Sequence, residues 1–161
     1  MGIFCDLKKA FYFVDHGIIL YKLKFYGIRV KFLSLIKTYL EDRHQKAQIN
    51  VKNLLNITST EWRRVSYGVP QCSILGHLLL LIYINDLPLI LQIYSFPVLF
   101  ADDTSVVTTD TNSTNFLINS REIFSQLNKW FSAKLFLLNY GKTNFLHFRT
   151  KNSFFRYKIE I

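Results

Sequence analysis

Two neighbouring aspartates, Asp102 and Asp103, lie between two runs of apolar and β-branched residues in the stretch VLFADDTSVV, Val98–Val107. Carboxylates are rarely buried in proteins unless they are paired, so their place beside two apolar strands needs a chemical reason. A strand–turn–strand hairpin can hold both acids at its tip while the strands stay buried. Because side chains alternate along a strand, Asp102 and Asp103 need not point the same way.

Asp6 is the natural third acid, because it follows the short apolar run MGIFC just as Asp102 follows VLFA. A sheet that places these two strands side by side brings the acids together. Neighbouring carboxylates repel unless a cation neutralises them, and Mg²⁺ prefers a few carboxylates together with phosphate oxygens. Two such ions can activate an attacking 3′-hydroxyl and stabilise a departing pyrophosphate. The three acids therefore predict a metal site for nucleotidyl transfer.

The elements that must position these acids alternate between helices and hairpins, which indicates an α+β fold in one domain. The predicted helices are 17–40 with a break near Gly27, an apolar helix that Ser73 caps, and 112–131. The predicted strands are 1–7, 45–51, 62–67, 96–101 and 104–108, with a turn at 53–59 and a further turn and strand near the end. The first strand and the acid hairpin are the elements that carry the predicted chemistry.

Composition narrows the class of partner. The chain has 161 residues, is 50% hydrophobic, and carries 20 Lys and Arg against 11 Asp and Glu, a formal charge of +9. This excess favours polyanionic partners, nucleic acid before acidic membrane. The two cysteines, Cys5 and Cys72, form no CxxC pair, so a reducing intracellular compartment is expected. Asp6 and Lys8 interrupt the first apolar run too early for a secretory signal.

The most membrane-like stretch is Ile74–Tyr94. His77, Asn85, Asp86 and Pro88 interrupt it, which leaves less uninterrupted apolar length than a spanning helix needs. We therefore expect a buried helix here and no membrane partner.

Four stretches occur in a fixed order: FCDLKKAFYFVDH, YGVPQCSILGHLLLLIYINDLP, LFADDT and LNYGKTNFLHF. They resemble palm motifs A to D of reverse transcriptases, the RNA-directed DNA polymerases, from non-LTR retrotransposons, and most of all those of jockey-type elements. The resemblance extends from Ile3 to about Phe148. It implies a polymerase palm, an antiparallel sheet backed by helices, with 1–161 as a partial reverse transcriptase domain that lacks fingers and thumb.

The resemblance also implies roles for individual residues. Asp6 and Asp102 match the metal-binding aspartates, and Asp103 matches a neighbour that coordinates less directly. Phe11 matches the bulky residue that excludes the ribose 2′-hydroxyl. Gln71 matches the polar contact in the loop that positions the template and the incoming nucleotide.

Lys142 matches the motif D lysine that helps to protonate the pyrophosphate leaving group. The implied cofactor is Mg²⁺, with Mn²⁺ as its alternative. The implied partners are an RNA template, a DNA primer and deoxynucleoside triphosphates, and action in the nucleus fits the family.

The chain departs from the family pattern in three positions: Cys72 stands where the family has glycine, Tyr12 where it has aspartate, and His77 where it has proline. Cys72 is the most serious, because a glycine there permits a close backbone approach or an unusual φ. With fingers and thumb missing, we expect the isolated chain to be inactive or nearly so. The alternatives are a non-catalytic nucleic-acid-binding remnant and a pseudogene product. The basic, aromatic end at 148–161 is expected either to stack on nucleic acid or to cover the core.

Overall fold

A computed structural model describes residues 1–50, 57–92, 95–110 and 112–147. The strands are β1 (Gly2–Cys5), β2 (His44–Gln45), β3 (Gln48–Asn50), β4 (Ile57–Ser59), β5 (Arg63–Arg64), β6 (Phe96–Phe100), β7 (Asp103–Val107) and β8 (Asn144–Leu146). The helices are α1 (His16–Phe25), α2 (Val30–Leu40), α3 (Ile74–Ile84), α4 (Leu87–Leu91) and α5 (Ser113–Ala133), with a short 3₁₀ helix at Ala10–Tyr12. Antiparallel strands and helices alternate along the chain, so the predicted α+β class is confirmed.

The central sheet has the strand order β6-β7-β1-β8, and every neighbouring pair is antiparallel. One face is buried: Ile3, Cys5 and Val106 belong to one contiguous core that they share with residues of α3 and α5. The alternate residues, such as Phe4 and Phe100, are exposed on the other face. Because side chains alternate along each strand, the first acid after β1 and the first residue of β7 both belong to the open face.

Local capping explains where the helices begin. The Ser73 hydroxyl accepts a hydrogen bond from the Gly76 amide at 2.9 Å, which confirms the predicted cap of α3. Asn112 caps α5 in the same way, with its side chain accepting from the Thr114 amide at 2.9 Å. The predicted break near Gly27 separates α1 from α2.

The hairpin between α2 and α3 was only partly predicted. The outer strands pair as expected, with His44 opposite Arg64 and Gln45 opposite Arg63. The turn predicted at 53–59 is wrong at its end, because Ile57–Ser59 forms β4, which pairs with β3. Ile57 and Thr58 are β-branched and suit an extended chain better than a turn. Residues 51–56, like the basic end at 148–161, lie outside the described residues.

The apolar stretch Ile74–Leu91 is long and apolar enough to cross a membrane by length and composition, with a mean hydropathy of 1.9. The fold divides it into α3 and α4, with Asn85 and Asp86 between them. On α3, residues such as Leu79 and Tyr83 are fully buried in the core. Ile74 and Leu81 of the same helix are exposed, and only 39% of the stretch is buried, so the predicted buried helix is present but is buried along one face only. The charged residue Asp86 lies just after its end.

That charged residue, Asp86, joins three helices. Lys22 of α1 is only 7% exposed, and its Nζ donates to the Asp86 carboxylate and to the backbone oxygen of Tyr83. Lys134, which follows α5, pairs with the other oxygen of Asp86 at 3.2 Å. Burial lowers the pKa of Lys22 more than the hydrogen bond and charge of Asp86 raise it. Burial alone raises the pKa of Asp86, but the hydrogen bonds and charges of Lys22 and Lys134 together hold it below its ordinary value.

A second junction joins the 3₁₀ helix to the loop before α3. Gly68 has φ 82°, in the left-handed region. A Cβ on Gly68 would lie 2.7 Å from the Phe11 carbonyl oxygen and 2.8 Å from the Tyr12 Cα. The neighbouring amide of Val69 donates to the same Phe11 oxygen at 2.7 Å. Glycine is therefore required both by conformation and by space.

Asp86→Asn is expected to lower the free energy of unfolding at pH 7 by about 1–3 kcal/mol, because two partly buried ammonium groups lose their charged partner. The lowered pKa of Asp86 means that its contribution is present above the unfolded value of 3.8 and is lost as pH falls through the folded value. Urea unfolding of both proteins at several pH values should therefore show the difference shrinking below about pH 4. The control is Glu41→Gln, which breaks the exposed Lys37–Glu41 pair and should cost less than about 1 kcal/mol. Equal losses in the two variants would contradict a role for burial at Asp86.

Gly68→Ala is expected to destabilise the fold by about 1–2 kcal/mol for the left-handed backbone and a further ~1–3 kcal/mol for the backbone clash. Gly27→Ala is the matched control, because Gly27 has φ 85° but nothing lies within 4 Å of an added Cβ. Only the conformational cost applies there. Thermal unfolding of the two variants measures the difference, and a similar loss in both would show that the contact with the 3₁₀ helix has no energetic weight.

Candidate active site

Pairing of β1 with β7 brings the acid near the amino terminus to the acid hairpin. Cys5 lies opposite Thr104 in the last pair of this ladder, so Asp6 and Asp103 are the next residues at the same edge of the sheet. Both line an open cleft of about 570 Å³, together with Lys142. We call this the acid cleft. Two of the predicted site acids, distant in sequence, therefore share one concave surface.

Asp6 is held in place by the segment before β8. The Asn139 side-chain amide donates to Asp6 Oδ2 at 2.8 Å, and the Asn139 backbone amide donates to the Asp6 carbonyl at 2.8 Å. Leu7 and Leu138 form an isolated antiparallel bridge, and the Lys8 amide donates to the next carbonyl, that of Leu137. These contacts fix the backbone at Asp6 and hold its Oδ2 beside Asn139. Asn139 was not singled out from the sequence, and its place in LNYGKT was the signal for it.

Asp102 lies at the tip of the acid hairpin, as predicted, whereas Asp103 is the first residue of β7 and not part of the tip. Phe100 pairs with Asp103, so Ala101 and Asp102 form the tip of the β6–β7 hairpin. Ala101 has φ 52°, a left-handed conformation that only glycine adopts without cost. Among the described residues that line the acid cleft, Asp103 is present and Asp102 is not. The structure thus brings Asp6 and Asp103 together and leaves Asp102 beside them at the tip.

The donors in the acid cleft suit a hard cation. Within the described ranges, no group of three or more His, Cys, Asp or Glu side chains is placed to hold a metal ion. The cleft nevertheless offers the carboxylates of Asp6 and Asp103 with the Ser105 hydroxyl and the Asn144 side chain. Burial raises the pKa of Cys5, which also lines the cleft, to about 12, so its thiol stays neutral and is a poor ligand. Oxygen donors without thiolate fit a divalent ion such as Mg²⁺ that keeps several waters.

A second cleft of about 540 Å³ adjoins the first, and we call it the basic cleft. Lys8, Lys9 and Lys142 line it together with Asp6 and Asn139. Lys142 and Asp6 therefore line both clefts. Sequence reasoning identified Lys142 but missed Lys8 and Lys9, whose signal was their position directly after Asp6. Three lysines therefore line a cleft that Asp6 also lines.

The predicted nucleotide-side residues, Phe11 and Gln71, do not lie in the acid cleft. Phe11 is 6% exposed and its ring meets that of His77 edge-on, with the centroids 4.9 Å apart. Tyr12, the next residue, is 55% exposed. Tyr12 lines a third cleft of about 350 Å³ with Gln71 and Arg43, which we call the loop cleft. Phe11 is a core residue in this structure, and Gln71 lies at the surface beside it.

Cys72 was expected to disturb a position that needs glycine. The structure places Cys72 on the surface, and it does not occur among the described residues with positive φ. Its φ therefore does not require glycine, and the left-handed position of this loop is Gly68 instead. The other expected reason for glycine, a close backbone approach, stays a prediction.

Comparison with known proteins identifies the family of this chain. The family model for reverse transcriptase (RNA-dependent DNA polymerase) matches residues 1–158. The chain is 34% identical over 93 residues to the probable RNA-directed DNA polymerase from transposon BS of Drosophila melanogaster, covering 54% of this chain and 9% of that protein. It is 34% identical over 108 residues to the corresponding protein from transposon X-element of the same species, covering 65% and 11%. The chain thus spans about a tenth of the length of these curated relatives.

The family match covers nearly the whole chain, and it includes all four motifs and both strands that carry the acids of the cleft. The resemblance to reverse transcriptases is therefore confirmed, while the jockey-like type stays a prediction. The chain belongs to the reverse transcriptase family.

Proposed function

We propose that this chain is the palm of an RNA-directed DNA polymerase, with 1–161 as a partial domain that contains motifs A to D. The reaction is attack by the 3′-hydroxyl of a DNA primer on the α-phosphate of a deoxynucleoside triphosphate, directed by an RNA template. The observation that carries this proposal is the meeting of Asp6 and Asp103 in one cleft beside three lysines. The similarity to transposon proteins supports an origin in a mobile element, of the non-LTR, jockey-like type that the motifs resemble.

Reverse transcriptases use divalent metal ions. For this chain we assign Mg²⁺, with Mn²⁺ as its alternative, to the acid cleft. Asp6 and Asp103, which line the cleft, would hold it. Asp102, which the resemblance implies as a principal ligand, would join them from the adjoining hairpin tip. A divalent ion bound there supplies charge neutralisation and lowers the pKa of a coordinated hydroxyl.

Side chains around the two clefts position the acids and bind and protonate the phosphates. Asn139 orients the Asp6 carboxylate through its hydrogen bond. Lys8 and Lys9 neutralise the triphosphate in the basic cleft. Lys142 lines both clefts, so its ammonium group is placed to donate a proton to the pyrophosphate as negative charge develops on that leaving group.

Gln71 contacts the template or the incoming nucleotide from the loop cleft. For Phe11 to contact the sugar, as the resemblance implies, its ring must leave His77. While its ring packs against His77, Phe11 is a positioning residue. It anchors the 3₁₀ helix that directly follows Lys8 and Lys9.

A second candidate function is a non-catalytic nucleic-acid-binding remnant. It is favoured by the formal charge of +9 and by the finding that, within the described ranges, no three ligating side chains are arranged around one ion. Such a protein would bind RNA in a salt-dependent manner, and that binding would be indifferent to the acids of the cleft.

Asp6→Asn and Asp103→Asn are each expected to weaken Mn²⁺ binding at least tenfold, because each removes one of two converging carboxylates. Mn²⁺ titration followed by electron paramagnetic resonance measures the affinity without requiring turnover. Glu122→Gln is the control, since Glu122 is an exposed carboxylate on α5 that contacts Gln126. Unchanged affinity in both cleft variants would support the non-catalytic alternative.

In primer extension on an RNA template we expect the 161-residue chain to incorporate little or no deoxynucleotide. Robust incorporation that Asp102→Ala abolishes would refute this expected inactivity while supporting the site.

Lys8→Ala combined with Lys9→Ala is expected to raise the Kd for a deoxynucleoside triphosphate at least tenfold, because two cations leave the basic cleft. The Kd for the uncharged nucleoside should not change. Isothermal titration at low and high salt measures both ligands, and the triphosphate difference should shrink as salt rises. Lys24→Ala combined with Lys31→Ala removes the same charge from exposed positions on α1 and α2 and serves as the control. An equal effect from both pairs would contradict a local phosphate site.

A further inference from the structure

The hairpin that projects between α2 and α3 carries a surface that the proposed chemistry does not use. It consists of Arg43, Lys46, Trp62, Arg63 and Arg64, and we call it the arginine hairpin. Trp62 is 64% exposed, and both residues of β5 are exposed. Lys46 Nζ lies 5.1 Å from the centroid of the Trp62 ring, so a cation rests on an aromatic face that is otherwise open to solvent.

Among the described residues, the cations of the arginine hairpin form no ion pair with a carboxylate, although Glu61 lines a cleft together with Lys46 and Arg63. In the part of the chain that the structure describes, the ion pairs are Lys22–Asp86, Lys37–Glu41 and Lys134–Asp86. Arg43, Lys46, Arg63 and Arg64 take part in none of these. The guanidinium of Arg43 donates to the Gly68 carbonyl at 3.4 Å, which ties the hairpin to the loop before α3. The Val65 amide donates to the Arg43 carbonyl at 2.7 Å and closes the base of the hairpin.

Two clefts connect this surface to the predicted nucleotide side of the active site. The loop cleft is lined by Tyr12, Arg43, Tyr67 and Gln71, among others. A further cleft of about 520 Å³ is lined by Lys46, Thr60, Glu61 and Arg63. Gln45 of β2 lines both clefts, so they lie next to one another. The loop cleft includes Gln71 and the exposed tyrosines, and the further cleft includes Lys46, whose Nζ covers the Trp62 ring. We call these two neighbouring clefts together the path.

We propose that this path binds single-stranded nucleic acid, namely the unpaired part of the template next to the active site. This inference rests on the proposed polymerase function, since that function supplies the strand. Exposed rings of Tyr12, Tyr67 and Trp62 offer stacking faces for unpaired bases. Arginines between them suit phosphate oxygens, which a planar guanidinium binds in pairs. A duplex keeps its bases stacked inside, so the aromatic rings favour a single strand over a duplex.

The test is fluorescence anisotropy of the 161-residue chain with two labelled RNA–DNA duplexes, one blunt and one with a ten-nucleotide RNA overhang. Trp62→Ala is expected to lower the affinity for the overhang substrate about five- to tenfold and to leave the blunt duplex unchanged. Trp62→Phe, which keeps an aromatic face, should retain most of the affinity. Arg63→Ala combined with Arg64→Ala should also reduce the salt slope for the overhang substrate by about 1.4, at ~0.7 for each phosphate that is no longer neutralised.

Matched controls come from α1 and α2. Phe32→Ala removes an aromatic residue that is about as exposed as Trp62, and Lys24→Ala combined with Lys31→Ala removes two exposed cations. If these controls weaken overhang binding as much as the hairpin variants do, the inference is overturned in favour of non-specific attraction. It is also overturned if Trp62→Ala lowers the affinity for the blunt duplex as much as the affinity for the overhang substrate, because the site then binds the duplex and not the single strand.

The outcome is separable from that of the proposed function. Loss of Mn²⁺ affinity in Asp103→Asn, together with unchanged overhang binding in every hairpin variant, would keep the polymerase site and overturn the strand path. Selective loss of overhang binding in the hairpin variants, with Mn²⁺ binding unaffected by Asp6→Asn and Asp103→Asn, would support the strand path and contradict the metal site.

Discussion

The antiparallel pairing of β1 with β7 is the constraint on which the rest of the site depends. Its last pair, Cys5 with Thr104, decides that Asp6 and Asp103 emerge at one edge and on the open face of the sheet. A shift of one residue would turn one of these acids towards the core, where it would have to be neutralised or paired. The buried face resists such a shift, because Ile3, Cys5 and Val106 pack into the core. Burial on one face therefore fixes the chemistry on the other.

Around that edge, short-range contacts hold the other parts of the site. Asn139 fixes Asp6, and Gly68 allows the loop before α3 to lie directly on the 3₁₀ helix. Arg43 donates to the carbonyl of the same glycine, so Gly68 connects the arginine hairpin to the loop before α3. The Asp86 pairs hold α1, the junction of α3 with α4, and the end of α5 together on the far side of the core. Contacts between neighbouring elements thus hold the residues of the acid cleft and of the loop cleft in place.

Acidic and basic side chains of the candidate site line two adjoining clefts. The acid cleft holds two carboxylates, and the basic cleft next to it holds three lysines, with Asp6 and Lys142 common to both. A cation bound by the acids and a polyanion bound by the lysines would then lie in contact, which suits a metal–triphosphate complex. Arg43, Arg63 and Arg64 form no ion pair among the described residues, and they belong to the surface where we propose that the template strand binds. The excess charge of +9 therefore has distinct places in the fold where it can act on an anionic substrate.

Much of this protein is determined by its sequence alone. Period and capping predicted the α+β class, the helix boundaries near Gly27 and Ser73, and the acids at strand ends, because these depend on neighbours along the chain. Four ordered motifs identified the family. Tertiary structure decided what depends on distant neighbours: the burial of Phe11 against His77, the placing of Asp103 beside Asp6, and the meeting of Lys8 and Lys9 with Lys142. Local pattern shows that a residue ends a strand, but only the pairing of that strand with another shows which groups it meets there.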